Sequence, residues 1–265
     1  MAEVNGLGFL NIELTSRCNK SCFCCGRRKI EKEFPSLAQW GDMPYEMVGE
    51  IANQVPKGIV IQFHNNGEPT LYPHLGNALY LFPANIRCFN TNGKLLLAKA
   101  DEIINNLETL TVSVVEGDSE QEEQYEITRE FILLKRDRKP SMVFRCLGRI
   151  ENMERWRKLE GIVATRILHR PEGSFGYEKS ITIPEVGFCI EIMSHLAIDR
   201  YGNISLCVRF DPQGDLRLGN IKEITLEEAW SSEKRRYYIA RHIEQRRSEL
   251  PGCQRCEYWG VPRGE

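Results

Sequence analysis

The sequence predicts an α/β fold, a partial (β/α)6 barrel over residues 1–184 followed by a small C-terminal β-hairpin plus helix domain over residues 185–265. Three observations predict it. Short runs rich in Val, Ile and Phe alternate with helical segments of about ten residues, the pattern of right-handed crossovers and a parallel sheet. Segments rich in Gly, Asn, Pro and Cys follow directly on the predicted strands, where barrels of this kind carry their chemistry. Beyond about Pro184 the alternation stops.

Residues 8–14 read as the first strand, and Pro44 opens a helix over 45–54. Val and Ile mark a second strand at 58–63. The alternation continues with a strand at 86–89, a helix at 94–105, a strand at 109–115, a helix at 121–134 and a strand at 141–147. Segments 151–159 and 163–168 complete six strand-helix units of a TIM-like partial barrel. Past residue 184, residues 196–206 read as two short strands around a turn at Tyr201-Gly202-Asn203, with Asp199 and Asn203 as turn formers. A helix over 225–250 follows, capped by Thr225 with Glu228 three residues on, and broken near Ser231-Ser232. Pro251-Gly252-Cys253-Gln254-Arg255-Cys256 closes the domain as a turn with paired thiols. There is no internal repeat, low-complexity segment or long linker.

A chain of 265 residues can bury one large core, or a core of roughly 180 residues with a small satellite domain. Hydrophobic residues at 42% and charged residues at 27% are ordinary for a globular protein. The net charge of -2, with Arg and Lys dispersed among acids, argues against a nucleic-acid partner. No run approaches the roughly 18 apolar residues of a membrane span, and residues 1–15 lack a basic stretch followed by an apolar one. A cytoplasmic protein that touches neither membrane nor nucleic acid is expected.

The ten cysteines are unevenly placed. Cys18, Cys22, Cys24 and Cys25 form one group, Cys189, Cys207, Cys253 and Cys256 another, and Cys88 and Cys146 stand apart. A secreted disulfide framework would need a leader and is found in much shorter chains. Metal or cluster ligation is the better reading. In Cys18-x3-Cys22-x2-Cys25 three thiolates can converge on three irons of a cubane cluster, leaving the fourth iron open. A zinc knuckle built from this loop and the C-terminal pair is the alternative, but zinc favours four ligands in paired Cys-x2-Cys units.

The Cys-x3-Cys-x2-Cys loop after the first strand resembles that of the radical S-adenosylmethionine (SAM) superfamily. The resemblance implies a 4Fe-4S cluster whose open iron binds SAM and whose electron splits it to methionine and a 5'-deoxyadenosyl radical. Members usually carry an aromatic residue before the last cysteine, whereas this chain has Cys24 there and Phe23 one place earlier. Phe23 is the residue matched to the cofactor, and ligation by Cys24 in place of Cys25 stays open. Asn66-Gly67-Glu68-Pro69 is similar to the superfamily's Gly-Gly-Glu-Pro segment, which implies that Glu68 receives the SAM amino group. Thr91-Asn92-Gly93 is similar to the turn after strand three, while Ser113 and Arg145 match positions that bind SAM ribose or carboxylate. For Arg145 a structural ion pair is the equal alternative.

Cys189-x17-Cys207-x45-Cys253-x2-Cys256 resembles the twitch domain, the shortened SPASM extension of radical SAM enzymes, and especially that of 2-deoxy-scyllo-inosamine dehydrogenases. A full SPASM pattern has seven cysteines and two auxiliary clusters, so four ligands imply one. Four thiolates saturate a cubane, which suits electron transfer rather than substrate binding. A structural zinc at the same four cysteines is the alternative. The implied cofactors are two 4Fe-4S clusters and SAM, with a reducing partner such as flavodoxin or ferredoxin. The implied activity is an oxidoreductase that dehydrogenates a small molecule, with Glu172 and Tyr177 of residues 169–177 as bases. A maturase acting on a ribosomal peptide and a non-catalytic zinc-stabilised binding protein are the other readings.

Overall fold

The computed structural model describes residues 4, 6–166, 168, 188–254 and 256. Among these, nine strands form one open sheet in the order β6-β5-β4-β3-β2-β1-β7-β8-β9. The first half alternates as expected. Strand β1 (Phe9–Ile12) is followed by α1 (Gly26–Glu33) and α2 (Tyr45–Ala52), then β2 (Val60–Gln62), α3 (Leu75–Tyr80), β3 (Ile86–Thr91) and α4 (Ala100–Ile103). Strand β4 (Thr109–Val115), α5 (Gln121–Lys135), β5 (Ser141–Leu147), α6 (Met153–Arg157) and β6 (Ile162–Arg166) complete it. Each of β1 to β5 pairs in parallel with the next.

Successive side chains of a strand point to opposite faces, and the register sorts them here into two very different walls. One wall is Leu10, Ile12, Ile61, Phe89, Leu110, Val112, Val114, Phe144 and Cys146, each with no exposed surface. It packs against Met47, Val48 and Ile51 of α2, Leu75 and Leu79 of α3, Phe131 of α5 and Trp156 of α6. Each such side chain contributes roughly 1.5–3 kcal/mol by leaving water. The opposite face carries Asn11, Gln62 and Cys88 in one row, His64, Asn90 and Thr111 above it, and Ser113 beside Arg145 near the strand ends. Parallel sheets usually bury apolar residues on both faces, so a polar inner face marks a site.

The second half continues the same sheet. A short helix, α7 (Glu191–Ser194), leads into β7 (His195–Ile198), which pairs in parallel with β1 from Phe9↔His195 to Ile12↔Ile198. Strand β8 (Asn203–Ser205) returns antiparallel through the expected turn, where Asp199 accepts from the Tyr201 and Asn203 N–H groups, and β9 (Arg217–Asn220) adds the outer edge. The long helix expected over 225–250 is two, α8 (Leu226–Trp230) and α9 (Glu233–Ile243). The break falls at Ser231-Ser232 because the Ser232 side chain accepts from the Arg235 N–H and starts a new helix. Thr225 and Glu228 cap α8 reciprocally.

One expected helix is largely missing. Of residues 94–105 only Ala100–Ile103 is helical, because Lys94 N–H is taken by the Asn92 side chain and Leu96 N–H by the Gly93 carbonyl. No helix among the described residues is long and apolar enough to cross a membrane.

Candidate cluster and cofactor site

The cysteine loop leaves β1 through Glu13 and is pinned on three sides. Thr15 and Ser16 hydroxyls donate to the Gly41 carbonyl, and the Arg17 guanidinium makes a two-pronged pair with Asp42 at 2.9 and 2.7 Å. Lys20, nearly buried, reaches Asp118 at 2.5 Å in the β4–α5 loop. Asn92 donates to the Asn19 side chain at 2.7 Å and approaches Cys18 Sγ at 3.9 Å. Cys25 caps the N-terminus of α1, and its N–H donates to the Cys22 carbonyl. Burial raises the Cys22 thiol to about 11, and the charges of Cys25 and Cys18 add to it. The three sulfurs therefore share one neighbourhood. Burial pushes Cys24 up to about 12, with Cys22 and Cys25 as its neighbours. Phe23, on the same turn, is 46% exposed.

The segment after β2 docks against the base of this loop. Gly67 has φ +79°, and a Cβ there would lie 2.3 Å from the Thr15 carbonyl oxygen and 2.7 Å from that of Arg17. Glu68 N–H donates to the same Arg17 carbonyl at 2.7 Å. The buried Glu68 carboxylate accepts from Thr70 N–H and Oγ1, from Thr91 Oγ1 and from Asn92 N–H, at 3.1, 2.7, 2.8 and 2.7 Å. It thus ties the ends of β2 and β3 together. Burial raises its pKa, against the opposing pull of those donors. Gln124 of α5 donates to the carbonyls of Asn92 and Ser113 and fixes the ends of β3 and β4 in turn. Ser113 and Arg145 are paired across β4 and β5.

Cys189, Cys207, Cys253 and Cys256 meet around one cavity, whose other walls include Glu191, Ile192, Leu206, Leu216 and His242. Burial raises the Cys253 thiol, and the charges of Cys207, Cys189 and Cys256 add to it. Arg247 donates to the carbonyls of Cys253 and Cys256 at 2.8 and 3.0 Å, which holds the closing turn. Among the described residues no three His, Cys, Asp or Glu side chains converge tightly enough to hold a single metal ion. Four soft thiol donors spaced around an apolar cavity fit an iron-sulfur cluster.

A cavity of about 320 Å3 has walls that include Glu13, Ser16, Asn66, Arg200, Cys207 and Arg209. Glu13, matched to no role in the sequence, spans the two halves: its carboxylate accepts from the N–H of Asn66 at 3.0 Å and of Arg200 at 3.2 Å. Its position directly before the cysteine loop was the available signal. His64, at the end of β2, was not singled out either. Burial, then the charges of Arg145 and Arg209, push its pKa down to about 4. Glu172 and Tyr177 lie outside the described residues.

Residues 189–257 match the model of SPASM, an iron-sulfur cluster-binding domain. A tungsten-containing aldehyde ferredoxin oxidoreductase cofactor-modifying protein of Pyrococcus furiosus is 33% identical over 114 residues, which cover 40% of this chain and 29% of that protein. The matched stretch therefore spans less than a third of the relative's length. Among solved structures, BtrN in complex with AdoMet and 2-DOIA superposes with a TM-score of 0.67 at 17% identity, covering 98% of this chain and 96% of that one. SuiB of Streptococcus suis bound to the precursor peptide SuiA superposes with a TM-score of 0.62 at 14% identity, covering 95% and 71%. The open sheet has the fold of these structures, and the SPASM match covers its last strands and the helices after them.

Proposed function

We infer that this radical SAM chain with a SPASM-like iron-sulfur domain is an oxidoreductase that dehydrogenates a small polar molecule. The cavity that runs from Asn66, beside the first cysteine loop, to Cys207 of the second group carries this reading. A substrate held there would lie against Cys207 and against Ser16, which enters the loop of the first cysteine group. The polar inner face of Asn11, Gln62, His64, Asn90 and Thr111 suits a molecule rich in hydroxyl or amino groups. BtrN, of nearly the same extent, holds AdoMet and 2-DOIA, which supports a small molecule.

In this reading Cys18, Cys22 and Cys25 hold the first cluster, and Cys189, Cys207, Cys253 and Cys256 the second. When bound, these clusters and SAM supply the hydrogen-abstracting deoxyadenosyl radical and the acceptor for the electron that the substrate then loses. The chain's own residues position the parts. Glu68 holds Asn92 and the backbone of residues 66–68 in place for SAM, Ser113 and Arg145 offer a hydroxyl and a cation at the neighbouring strand ends, and Phe23 shields the loop. For an alcohol, a base of the chain would take the hydroxyl proton, with the carbon-bound hydrogen atom and one electron taken up by the clusters and SAM, leaving a ketone. Glu172 and Tyr177 are the bases proposed from the sequence. A one-electron reductant such as flavodoxin or ferredoxin supplies the electron that splits SAM.

Anaerobically reconstituted protein is expected to hold about eight irons, two cubanes of four each. With dithionite and SAM it should form 5'-deoxyadenosine. A small polyol or amino alcohol deuterated at the reacting carbon should pass deuterium into that product and emerge two hydrogens lighter. SuiB, seen with its precursor peptide, motivates the second reading, peptide modification. Deuterium transfer from a peptide, with none from any small alcohol, would establish that reading instead.

A further inference from the structure

His242 lies on α9 with 1% of its surface exposed, against the cavity that the four C-terminal cysteines share. Its Nδ1 accepts a hydrogen bond of 3.1 Å from the backbone N–H of Cys189. A backbone N–H can donate only to a ring nitrogen that carries no proton, so the neutral ring carries its proton on Nε2. Nε2 is buried and meets no acceptor among the described residues. A buried donor left without an acceptor is costly, and the native molecule must supply one. Among the described residues the cavity's other walls leave none to it: Ile192, Leu206 and Leu216 are apolar, and the Glu191 carboxylate is occupied by Arg209 at 2.6 Å and His195 at 3.3 Å. Cluster and cysteine sulfurs are the acceptors that remain.

We propose that His242 donates its Nε2–H to a sulfur of the second cluster and so makes that cluster a better electron acceptor. The proposal rests on the reading that Cys189, Cys207, Cys253 and Cys256 hold an iron-sulfur cluster. Reduction adds a negative charge to the cluster, so a donor aimed at its sulfur stabilises the reduced form more than the oxidised one and raises the potential. Arg247 adds positive charge on the same side, where it holds the carbonyls of Cys253 and Cys256. The histidine is not itself an iron ligand in this arrangement. Ligation through Nε2 would displace the proton that Nδ1, already an acceptor, cannot carry.

The test uses the fully reconstituted chain, in which the signal lost on Cys253→Ala/Cys256→Ala replacement is that of the second cluster. With 15N-histidine incorporated, the reduced second cluster should show a histidine 15N coupling by pulsed paramagnetic resonance, together with a strongly coupled proton that exchanges in D2O. Two variants separate the ring's two roles. In His242→Asn the amide oxygen can still accept from Cys189 N–H but the distal donor is gone. In His242→Gln the amide N–H takes the distal place. In a redox titration the Asn variant should show about a tenfold lower reduced-to-oxidised ratio at a fixed potential, about 59 mV for one electron, and the Gln variant should stay close to the parent. No histidine 15N coupling in the parent protein, an unshifted Asn variant with its iron intact, or equal shifts in both variants would overturn the proposal. If the Asn variant loses its iron, the coupling in the parent decides. About four irons with one zinc in the parent would overturn the cluster reading itself, and this proposal with it.

Discussion

Thr91 donates its hydroxyl to Glu68 at 2.8 Å, so the side chain that ends β3 is fastened to the carboxylate that follows β2. Three further donors converge on that carboxylate, two from Thr70 and one from the Asn92 N–H. Glu68→Gln turns an amide N–H2 towards some of these donors and leaves buried groups unpaired. It should cost about 2–4 kcal/mol in urea unfolding, while Thr91→Val, which removes this bond and the one its hydroxyl accepts from the Gly93 N–H, should cost about 1–2 kcal/mol. A Glu68→Gln protein as stable as the parent would show that this carboxylate does not organise the strand ends.

Gly67 is where the second strand's loop meets the cysteine loop. With φ +79° and carbonyl oxygens at 2.3 and 2.7 Å from a built Cβ, Gly67→Ala must push Thr15 and Arg17 away. Cys18 follows Arg17 directly, so the displacement falls on the first cysteine group. The variant should reconstitute with about four irons rather than about eight and fail to cleave SAM, because the C-terminal site is untouched. Retention of all the iron would show that the loop moves freely of Gly67.

Much of this fold was legible in local pattern. Strands β4 and β5 run over the expected residues because Thr109–Val115 is dense in β-branched side chains and Ser141–Leu147 buries every second residue, Met142, Phe144 and Cys146. Helix α1 was missed because Gly26–Glu33 contains one aliphatic residue, Ile30, and buries Arg27 and Lys29 instead, with Arg27 stacked 4.0 Å over Trp40. The pairing of β7 with β1 is a contact over nearly two hundred residues that no local periodicity encodes. The site divides likewise. Cysteine spacing announces itself in sequence, whereas Glu13, His64 and His242 acquire their character only from neighbours brought in by the fold.

His64 carries a prediction about pH. Its pKa in the folded protein, about 4, lies below the ordinary value of 6.5 because burial, Arg145 and Arg209 disfavour the imidazolium. A depressed pKa means that the unfolded chain binds the proton more readily. Its contribution is therefore present above pH 6.5 and is lost as pH falls towards 4, with an upper bound of about 3 kcal/mol. Between pH 7.5 and 5.5 the parent should lose stability faster than His64→Gln under anaerobic thermal unfolding. Parallel curves for the two proteins would mean that His64 titrates normally in the fold.

The final prediction separates the two cysteine groups by what each contributes to turnover. Cys253 and Cys256 supply half the thiols of the second group from one turn, and that turn is held by Arg247 through backbone carbonyls that do not depend on the sulfurs. Leu250 and Tyr238 anchor the same region in the core. Cys253→Ala/Cys256→Ala should therefore lose the second cluster and keep its helices, which far-ultraviolet circular dichroism checks directly. The loop of Cys18, Cys22 and Cys25 draws its supports from Gly41, Asp42, Asp118 and Asn92, none of them in this domain. SAM cleavage should survive in part. If the second cluster takes the substrate's electron, the substrate radical has nowhere to lose it, and the hydrogen is returned or the radical quenched. Oxidised product should then fall by at least about tenfold more than 5'-deoxyadenosine does. A folded variant that makes product at the parent rate would leave the second cluster a structural part and direct attention to redox-neutral chemistry at the first.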